Sequence, residues 1–241
     1  MDMLAQYVES GSSFSGDIDH IIILITLIVG FWFLLAEGVL FYLILRYSAQ
    51  EGVRAQYIAG EDPKEKRWVA IPHYITLAFD VWIMIAAVRV WQDVKQTMPQ
   101  ADETVRVIAQ QWAWTFVHPG ADGKLDTADD IRVVDELHVV KGKTYHFELQ
   151  SRDVLHSFSV PVFRLKQDII PGRTIRGWFK PTVTGGFDIQ CTEICGIGHG
   201  IMPARVIVET PEDHAAWVVS QTPASAALVP NSPPTQLGGM P

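Results

Sequence analysis

Four soft metal donors, Cys191, Cys195, His199 and Met202, fall close together in the stretch Asp188-Ile-Gln-Cys-Thr-Glu-Ile-Cys-Gly-Ile-Gly-His-Gly-Ile-Met-Pro203. Gly196, Gly198, Gly200 and Pro203 disfavour a helix there, so a tight ligand loop is expected. Thiolate, imidazole and thioether together suit copper better than calcium or magnesium. A mononuclear blue-copper site uses one Cys, two His and a weak axial Met, which leaves one of the two cysteines surplus. Two thiolates on one loop can instead bridge two copper ions, each completed by one imidazole and one weak donor. Such a pair spreads the transferred electron over both metals, so its geometry changes little between redox states. A second His is then required, and His156 in Asp153-Val-Leu-His-Ser-Phe-Ser-Val160, at the edge of an apolar, strand-like run, is the candidate. A disulfide or a zinc site built from Cys, Cys, His and His competes with this reading, but neither uses Met202.

The rest of the chain must hold these donors in place. Its 241 residues, 48% of them hydrophobic, have room for a domain and a membrane anchor. A formal net charge of −8 lacks the basic footprint of a nucleic-acid binder, so no nucleic acid is expected as a partner. Residues 1–19 are polar and acidic with no basic region ahead of the first apolar run, so no secretory signal peptide is expected. From Ile21 to Leu45 the only charged residue is Glu37, and the run exceeds the roughly 20 residues a helix needs to cross a bilayer. A second apolar stretch, Trp68 to Val88, is interrupted by His73 and Asp80 and flanked by Arg67 and Arg89, and predicts a second span. The loop between them carries Arg46, Arg54, Lys64, Lys66 and Arg67, whereas residues 1–45 have no Lys or Arg. The positive-inside bias places that loop in the cytoplasm and both termini, with the ligand loop, on the periplasmic side.

After Met98-Pro99-Gln100 the pattern changes to short alternating strands. Thr104–Ala109, Trp112–Val117, Ile131–Val140, Thr144–Gln150, Val154–Val160, Thr174–Lys180, Phe187–Gln190 and Ala204–Glu209 are divided by Gly, Pro and Asp. About eight such strands predict an all-β sandwich or Greek-key barrel. The expected class is therefore an α+β membrane protein, a two-helix transmembrane hairpin followed by a Greek-key β domain. The expected divisions are a periplasmic N-terminal tail over 1–20, the hairpin over 21–98 with helices at about 21–45 and 68–88, the β domain over 99–220, and a disordered tail over 221–241. Thr210-Pro-Glu-Asp213 has a cap residue, Pro at the first helical position and early acids, which predicts a short helix to about Ser220.

Three motifs resemble subunit 2 of the haem-copper cytochrome c oxidases: Asp-Val-Leu-His-Ser at 153–157, Leu-Lys-Gln-Asp-Ile-Ile-Pro-Gly-Arg at 165–173, and Cys-x-Glu-x-Cys-x-x-x-His-x-x-Met at 191–202. The resemblance covers the hairpin and the β domain to about residue 210, and it implies a cupredoxin fold for that domain. It implies that Cys191 and Cys195 bridge a dinuclear copper (CuA) centre, with His156 and His199 as terminal imidazoles. Met202 and the backbone carbonyl of Glu193 are then the axial ligands, and the Glu193 carboxylate serves a magnesium ion at the interface with the catalytic subunit. Gln110-Gln-Trp-Ala-Trp-Thr-Phe116 resembles the aromatic segment whose first Trp, here Trp112, receives electrons from cytochrome c. The family commonly has Tyr where this chain has Ala113. Glu65-x-x-Trp68-x-x-x-Pro72 resembles the segment whose Glu stands at the entrance of a proton channel. The implied function is electron transfer from a soluble or tethered c-type cytochrome, through CuA, to a haem in catalytic subunit 1, where oxygen is reduced to water and protons are moved. Subunit 1, the cytochrome, other oxidase subunits and the lipid of a bacterial inner membrane are the implied partners. A nitric oxide reductase subunit and a membrane-tethered copper carrier stay open as alternatives.

Several residues stand outside these motifs. Glu37 and Asp80, inside the spans, are expected to face a partner subunit or each other. The acidic stretch Ala121–Asp130 does not fit EF-hand spacing and is expected to be a solvated turn, with calcium binding or a docking patch as alternatives. Residues 99–210 hold 14 acidic and 12 basic residues, so attraction of a basic cytochrome needs a local cluster. Asp126, Asp129, Asp130, Asp135, Glu136 and Asp153 are the candidates. His118, His138, His146 and His214 lack ligand-like company and are expected to be structural or exposed. Asp168 and Arg173 are expected to take structural or hydrogen-bonding roles near a subunit interface.

Overall fold

The computed structural model describes residues 9–221. They form two units, one from Gly16 to Thr97 and one made of the segment ending at Ser15 together with the chain from Met98 onward.

The first unit holds two long helices, α1 (Ser15–Arg46) and α2 (Pro63–Trp91), the second running on through a wider turn at Gln92–Gln96. At about 1.5 Å per residue both exceed the ~30 Å of a bilayer's hydrocarbon layer. Asp62 starts α2 by accepting the Lys64 N–H at 2.7 Å, and Pro63 follows at the first helical position. Leu34, Leu45 and Trp68 are 70%, 78% and 83% exposed, so these helices carry apolar surface that calls for lipid or partner helices. Both helices begin several residues before their apolar runs, at Ser15 and Pro63, because polar residues extend a helix beyond its greasy stretch without changing its hydrogen bonding.

The second unit is a sandwich of two five-stranded sheets. Its strands are β1 (Glu103–Gln110), β2 (Ala113–His118), β3 (Ile131–Val134), β4 (Glu136–Val140), β5 (Tyr145–Ser151), β6 (His156–Val160), β7 (Leu165–Ile169), β8 (Ile175–Phe179), β9 (Gly185–Cys191) and β10 (Ala204–Glu209). One sheet has the order β3-β2-β1-β5-β8 and the other β4-β10-β9-β6-β7. Most neighbours are antiparallel, but β1 with β5 and β4 with β10 are parallel, as crossovers between sheets require. Alternate residues of β5, Tyr145, Phe147 and Leu149, are buried; Tyr145 and Phe147 stack on Phe179 of the neighbouring β8, and Phe147 meets Phe158 of the facing sheet with ring centroids 6.2 Å apart. This close-packed aromatic core is the rigid base beneath the ligand loop.

Ten strands replace the eight expected. The run Ile131–Val140 is two strands, because Asp135 adopts a left-handed conformation (φ 60°) and passes the chain from one sheet to the other. Asp135 is fastened to both sheets: its Oδ1 accepts the Trp114 N–H at 2.9 Å, and its carbonyl accepts the Arg205 N–H at 2.9 Å. Strand β7 was not expected, since only Leu165 and Ile169 of its five residues are buried and the pattern reads as polar. It pairs antiparallel with β6 at the sheet edge.

The segment just before α1 also joins the sandwich. Gly11 N–H donates to the Val162 carbonyl at 2.8 Å, Thr182 N–H donates to the Gly11 carbonyl at 2.8 Å, and Phe14 packs edge-on against Trp178 at 5.2 Å. A Cβ at residue 11 would lie 2.7 Å from Val162 Cγ2, so only glycine fits this approach. After β10, α3 (Pro211–Gln221) is capped by Thr210, whose Oγ1 accepts the Asp213 N–H at 3.2 Å. The expected tail beyond residue 221 lies outside the described residues.

Candidate metal centre

Pairing of β6 with β9 brings the two distant donor segments together, with Phe158 opposite Cys191. His156 opens β6 and is fully buried, Cys191 ends β9, and Cys195, His199 and Met202 lie on the loop leading to β10. The two sulfurs stand 3.8 Å apart as free thiols, well beyond a disulfide's ~2.05 Å. Around Cys191 Sγ lie His156 Nδ1 at 3.8 Å and the Glu193 carbonyl at 3.3 Å. Around Cys195 Sγ lie His199 Nδ1 and Met202 Sδ, both at 3.6 Å. Nδ1 of His156 and both sulfurs fall within 4.8 Å of one another.

The cluster is tuned from behind. Asp153 Oδ1 accepts the Nε2–H of His156 at 2.9 Å, which leaves Nδ1 with its lone pair toward the sulfurs. Burial, followed by the neighbouring Cys191, pushes the Cys195 thiol up to about 11. Cys195 is therefore a thiolate near neutral pH only with a cation beside it. Two sulfurs, two imidazole nitrogens, a thioether and a carbonyl form a donor set that fits a copper centre.

Trp112 packs directly on the ligand loop. A Cβ at Gly198 would lie 2.3 Å from Trp112 Cδ2, and one at Gly196 would lie 3.1 Å from Trp112 Cζ2. Trp114, buried beneath, donates from Nε1 to the Met202 carbonyl at 3.0 Å. Glu193 divides its groups: the carbonyl turns to Cys191, and the carboxylate accepts from Lys166 Nζ at 3.0 Å with Asp168 Oδ1 3.9 Å from the same ammonium. Arg173 is exposed on the turn after β7, its N–H donating to the Ile170 carbonyl. Glu65 belongs to the other unit, where it accepts the Gly60 N–H at 3.1 Å and lines a cavity of about 370 Å³ with His73 and Tyr74. Glu37 is half-buried and Asp80 exposed on their helices.

The six acidic docking candidates are largely occupied within the domain. Asp126 holds Arg106 through two bonds, at 2.6 and 3.0 Å, and Asp129 and Asp130 accept bonds from the turn that contains them. Asp135 and Asp153 hold Trp114 and His156 as described, and Glu136 lies 3.5 Å from His138. Of the four histidines expected to be structural or exposed, His118, His138 and His214 are buried together around Trp217, and His146 donates to the Pro99 carbonyl at 2.7 Å. Sequence reasoning did not single out Gln111, whose Nε2 donates to the Cys195 carbonyl at 2.7 Å, or Lys166 as the partner of Glu193. Each sits beside a motif and reaches its partner only across the fold.

Fold and donors together define a cupredoxin-type domain with a copper-type site, carried behind two long apolar helices. The family described as cytochrome c oxidase subunit II, periplasmic domain, matches residues 103–210. The chain is 34% identical over 228 residues to the alternative cytochrome c oxidase subunit 2 of Bradyrhizobium diazoefficiens, covering 86% of this chain and 80% of that one. It is 44% identical over 132 residues to the cytochrome c oxidase subunit 2 of Thermostichus vulcanus, covering 54% of this chain and 37% of that one. A solved structure, the periplasmic domain of subunit II of cytochrome oxidase of Bradyrhizobium japonicum, aligns at 31% identity and a TM-score of 0.47, covering 52% of this chain and 96% of that one. The chain belongs to the cytochrome c oxidase subunit 2 family, a component of haem-copper oxidases.

Proposed function

We propose that this chain is the electron-accepting subunit of a respiratory cytochrome c oxidase and that its cluster holds two copper ions. One observation carries the reading: the donors divide evenly between the sulfurs, His156 and the Glu193 carbonyl beside Cys191, His199 and Met202 beside Cys195. A single ion would leave half of this set unused. Bound there, the pair supplies a one-electron couple. The chain's own residues fix its surroundings: Asp153 holds the His156 ring in one tautomer, Trp114 holds the Met202 backbone, and the sandwich keeps both still.

Electrons are received from a c-type cytochrome at Trp112, which lies against the ligand loop, and leave for a haem of the catalytic subunit on the His199 side. Glu193 suits a magnesium ion at that subunit's interface, because its carboxylate already points away from the sulfurs; the ion would displace Lys166. Glu65, in the first turn of α2, serves as the entrance of a proton channel in the same complex.

Hydrogen bonds within the sandwich unit support a hairpin anchor: residues 11–13, ahead of α1, are bonded to the β domain that follows α2, as expected if both lie on one side of the membrane and the helices cross and return. With the basic loop at 46–67 inside, that side is the periplasm.

The test is copper content and electron spin resonance on the purified complex. Two coppers per chain sharing one unpaired electron are expected, and a lone copper or a zinc ion would overturn the reading. Turnover of oxygen, rather than nitric oxide, with reduced cytochrome c completes it.

A further inference from the structure

We infer that Gln111 is a positioning residue for electron transfer, fastening the Trp112 turn to both metal-ligand segments at once. Its side chain donates from Nε2 to the Cys195 carbonyl at 2.7 Å, and its backbone N–H donates to Asp153 Oδ2 at 2.7 Å. The other oxygen of that carboxylate holds Nε2 of His156 at 2.9 Å. One residue therefore bonds to the loop of Cys195 and, through Asp153, to the strand start of His156, while its neighbour Trp112 lies on Gly196 and Gly198.

The indole has no slack. A Cβ at Gly198 would lie only 2.3 Å from it, so ring and loop backbone already touch. Once metal holds the loop from inside, the free end of the Gln111 bond is the turn between β1 and β2. Losing that bond leaves the turn fastened only through the backbone N–H on Asp153 and lets Trp112 shift on the loop while the ligands stay in place. The step affected is simple: ferrous cytochrome c loses one electron and the copper pair gains it, with no bond made or broken and no proton moved.

This inference rests on Trp112 being the receiving group, and the experiment separates the two ideas. Gln111→Met, which keeps the side chain's length and removes its donor, is compared in the intact oxidase complex with Trp112→Phe and Gly198→Ala. Gly198 has φ −91°, which alanine adopts freely, so that variant probes only the contact with Trp112. In Gln111→Met we expect unchanged copper content, spin-resonance hyperfine pattern and midpoint potential. The limiting rate of copper reduction by saturating reduced cytochrome c should fall about tenfold or more, as a misplacement of an ångström can cause. The half-saturating cytochrome concentration should stay constant, and Gly198→Ala should show the same loss.

A wild-type limiting rate in Gln111→Met beside a slowed Trp112→Phe overturns the role of Gln111 alone. An altered hyperfine pattern overturns it too, by making Gln111 a support of the metal site. A change confined to half-saturation overturns it in favour of docking. A wild-type limiting rate in Trp112→Phe overturns the Trp112 reading, and this inference with it.

Discussion

One buried histidine, His156, stands at the sulfur cluster, a second group of buried histidines stands at the Glu209 end of β10, and only the first faces soft donors. In both, an imidazole bonds a carboxylate. At the metal end Asp153 takes Nε2 of His156 and leaves Nδ1 facing sulfur 3.8 Å away. At the far end Glu209 takes Nδ1 of two rings, His138 through Oε1 and His214 through Oε2, each at 2.9 Å. Those rings then pack on Trp217, His138 stacked at 4.2 Å and His214 at 5.2 Å, with His118 edge-on at 5.0 Å. Burial and a carboxylate partner are thus common to the histidine beside the sulfurs and to those away from them. The difference is which nitrogen remains and whether a soft donor or an indole faces it.

The largest effect should come from breaking the metal end. Cys195→Ser removes one of the two sulfurs to which the donors divide, and is expected to abolish the shared-electron copper signal and copper reduction altogether. Circular dichroism of the copper-free chain should show the sandwich still folded. An intact delocalised signal would mean that Cys195 bridges nothing.

Trp217→Ala is the matching change at the far end. It removes the ring on which three histidines rest; Trp217 is half-buried, so the loss is expected at about 3 kcal/mol or less, the lower end for a core Trp truncated to Ala. Denaturant unfolding of the copper-free chain, followed by β-sheet circular dichroism, measures this, and the spin-resonance spectrum of the loaded chain should be unaltered. A spectrum that changed would break the comparison by showing that the two ends of β10 are coupled.

How each end could be read from sequence follows the same contrast. The donors Cys191, Cys195, His199 and Met202 are neighbours in the chain, so their chemistry shows as spacing, and only His156 had to be brought by the β6–β9 pairing. The Trp217 group comes from β2, β4, β10 and α3, and none of its histidines has a telling neighbour in sequence. Strands with clear alternation, such as β10, were plain. Asp135 was hidden because the hydrophobic pattern continues through it while its backbone turns, and β7 was hidden because an edge strand needs few apolar residues. Asp153 and Asp126 looked like docking charges because sequence shows a carboxylate's sign but not its partners.

A smaller, pH-dependent effect belongs to His118. Burial, followed by the nearby His214 and His138, depresses its pKa to about 3, so it stays neutral in the fold. Once unfolded it takes a proton near 6.5, so between these values the unfolded state binds more protons. Stability is then full above about pH 6.5 and declines as pH falls, with a slope of up to about 1.4 kcal/mol per pH unit from this group. Unfolding of the copper-free chain between pH 6.5 and 5, above the range of most carboxylates, should show this slope, and His118→Leu should flatten it. An equal slope in the variant would assign the loss to other groups.

The smallest change asks whether the far end depends on its helix. Thr210 caps α3 by accepting the Asp213 N–H and donating to Asp213 Oδ2 at 2.8 Å, and α3 carries both His214 and Trp217. Removing such a cap typically loses about 1 kcal/mol. In Thr210→Ala, amide exchange through residues 211–221 should therefore quicken by about fivefold, since RT ln 5 is close to 1 kcal/mol. The ligand loop is held from β6, β9 and the β1–β2 turn, so exchange at residues 195–199 should not move. Equal quickening at both places would mean that the cap acts through β10 as one rigid rod, and the two histidine groups would then be parts of a single cooperative unit.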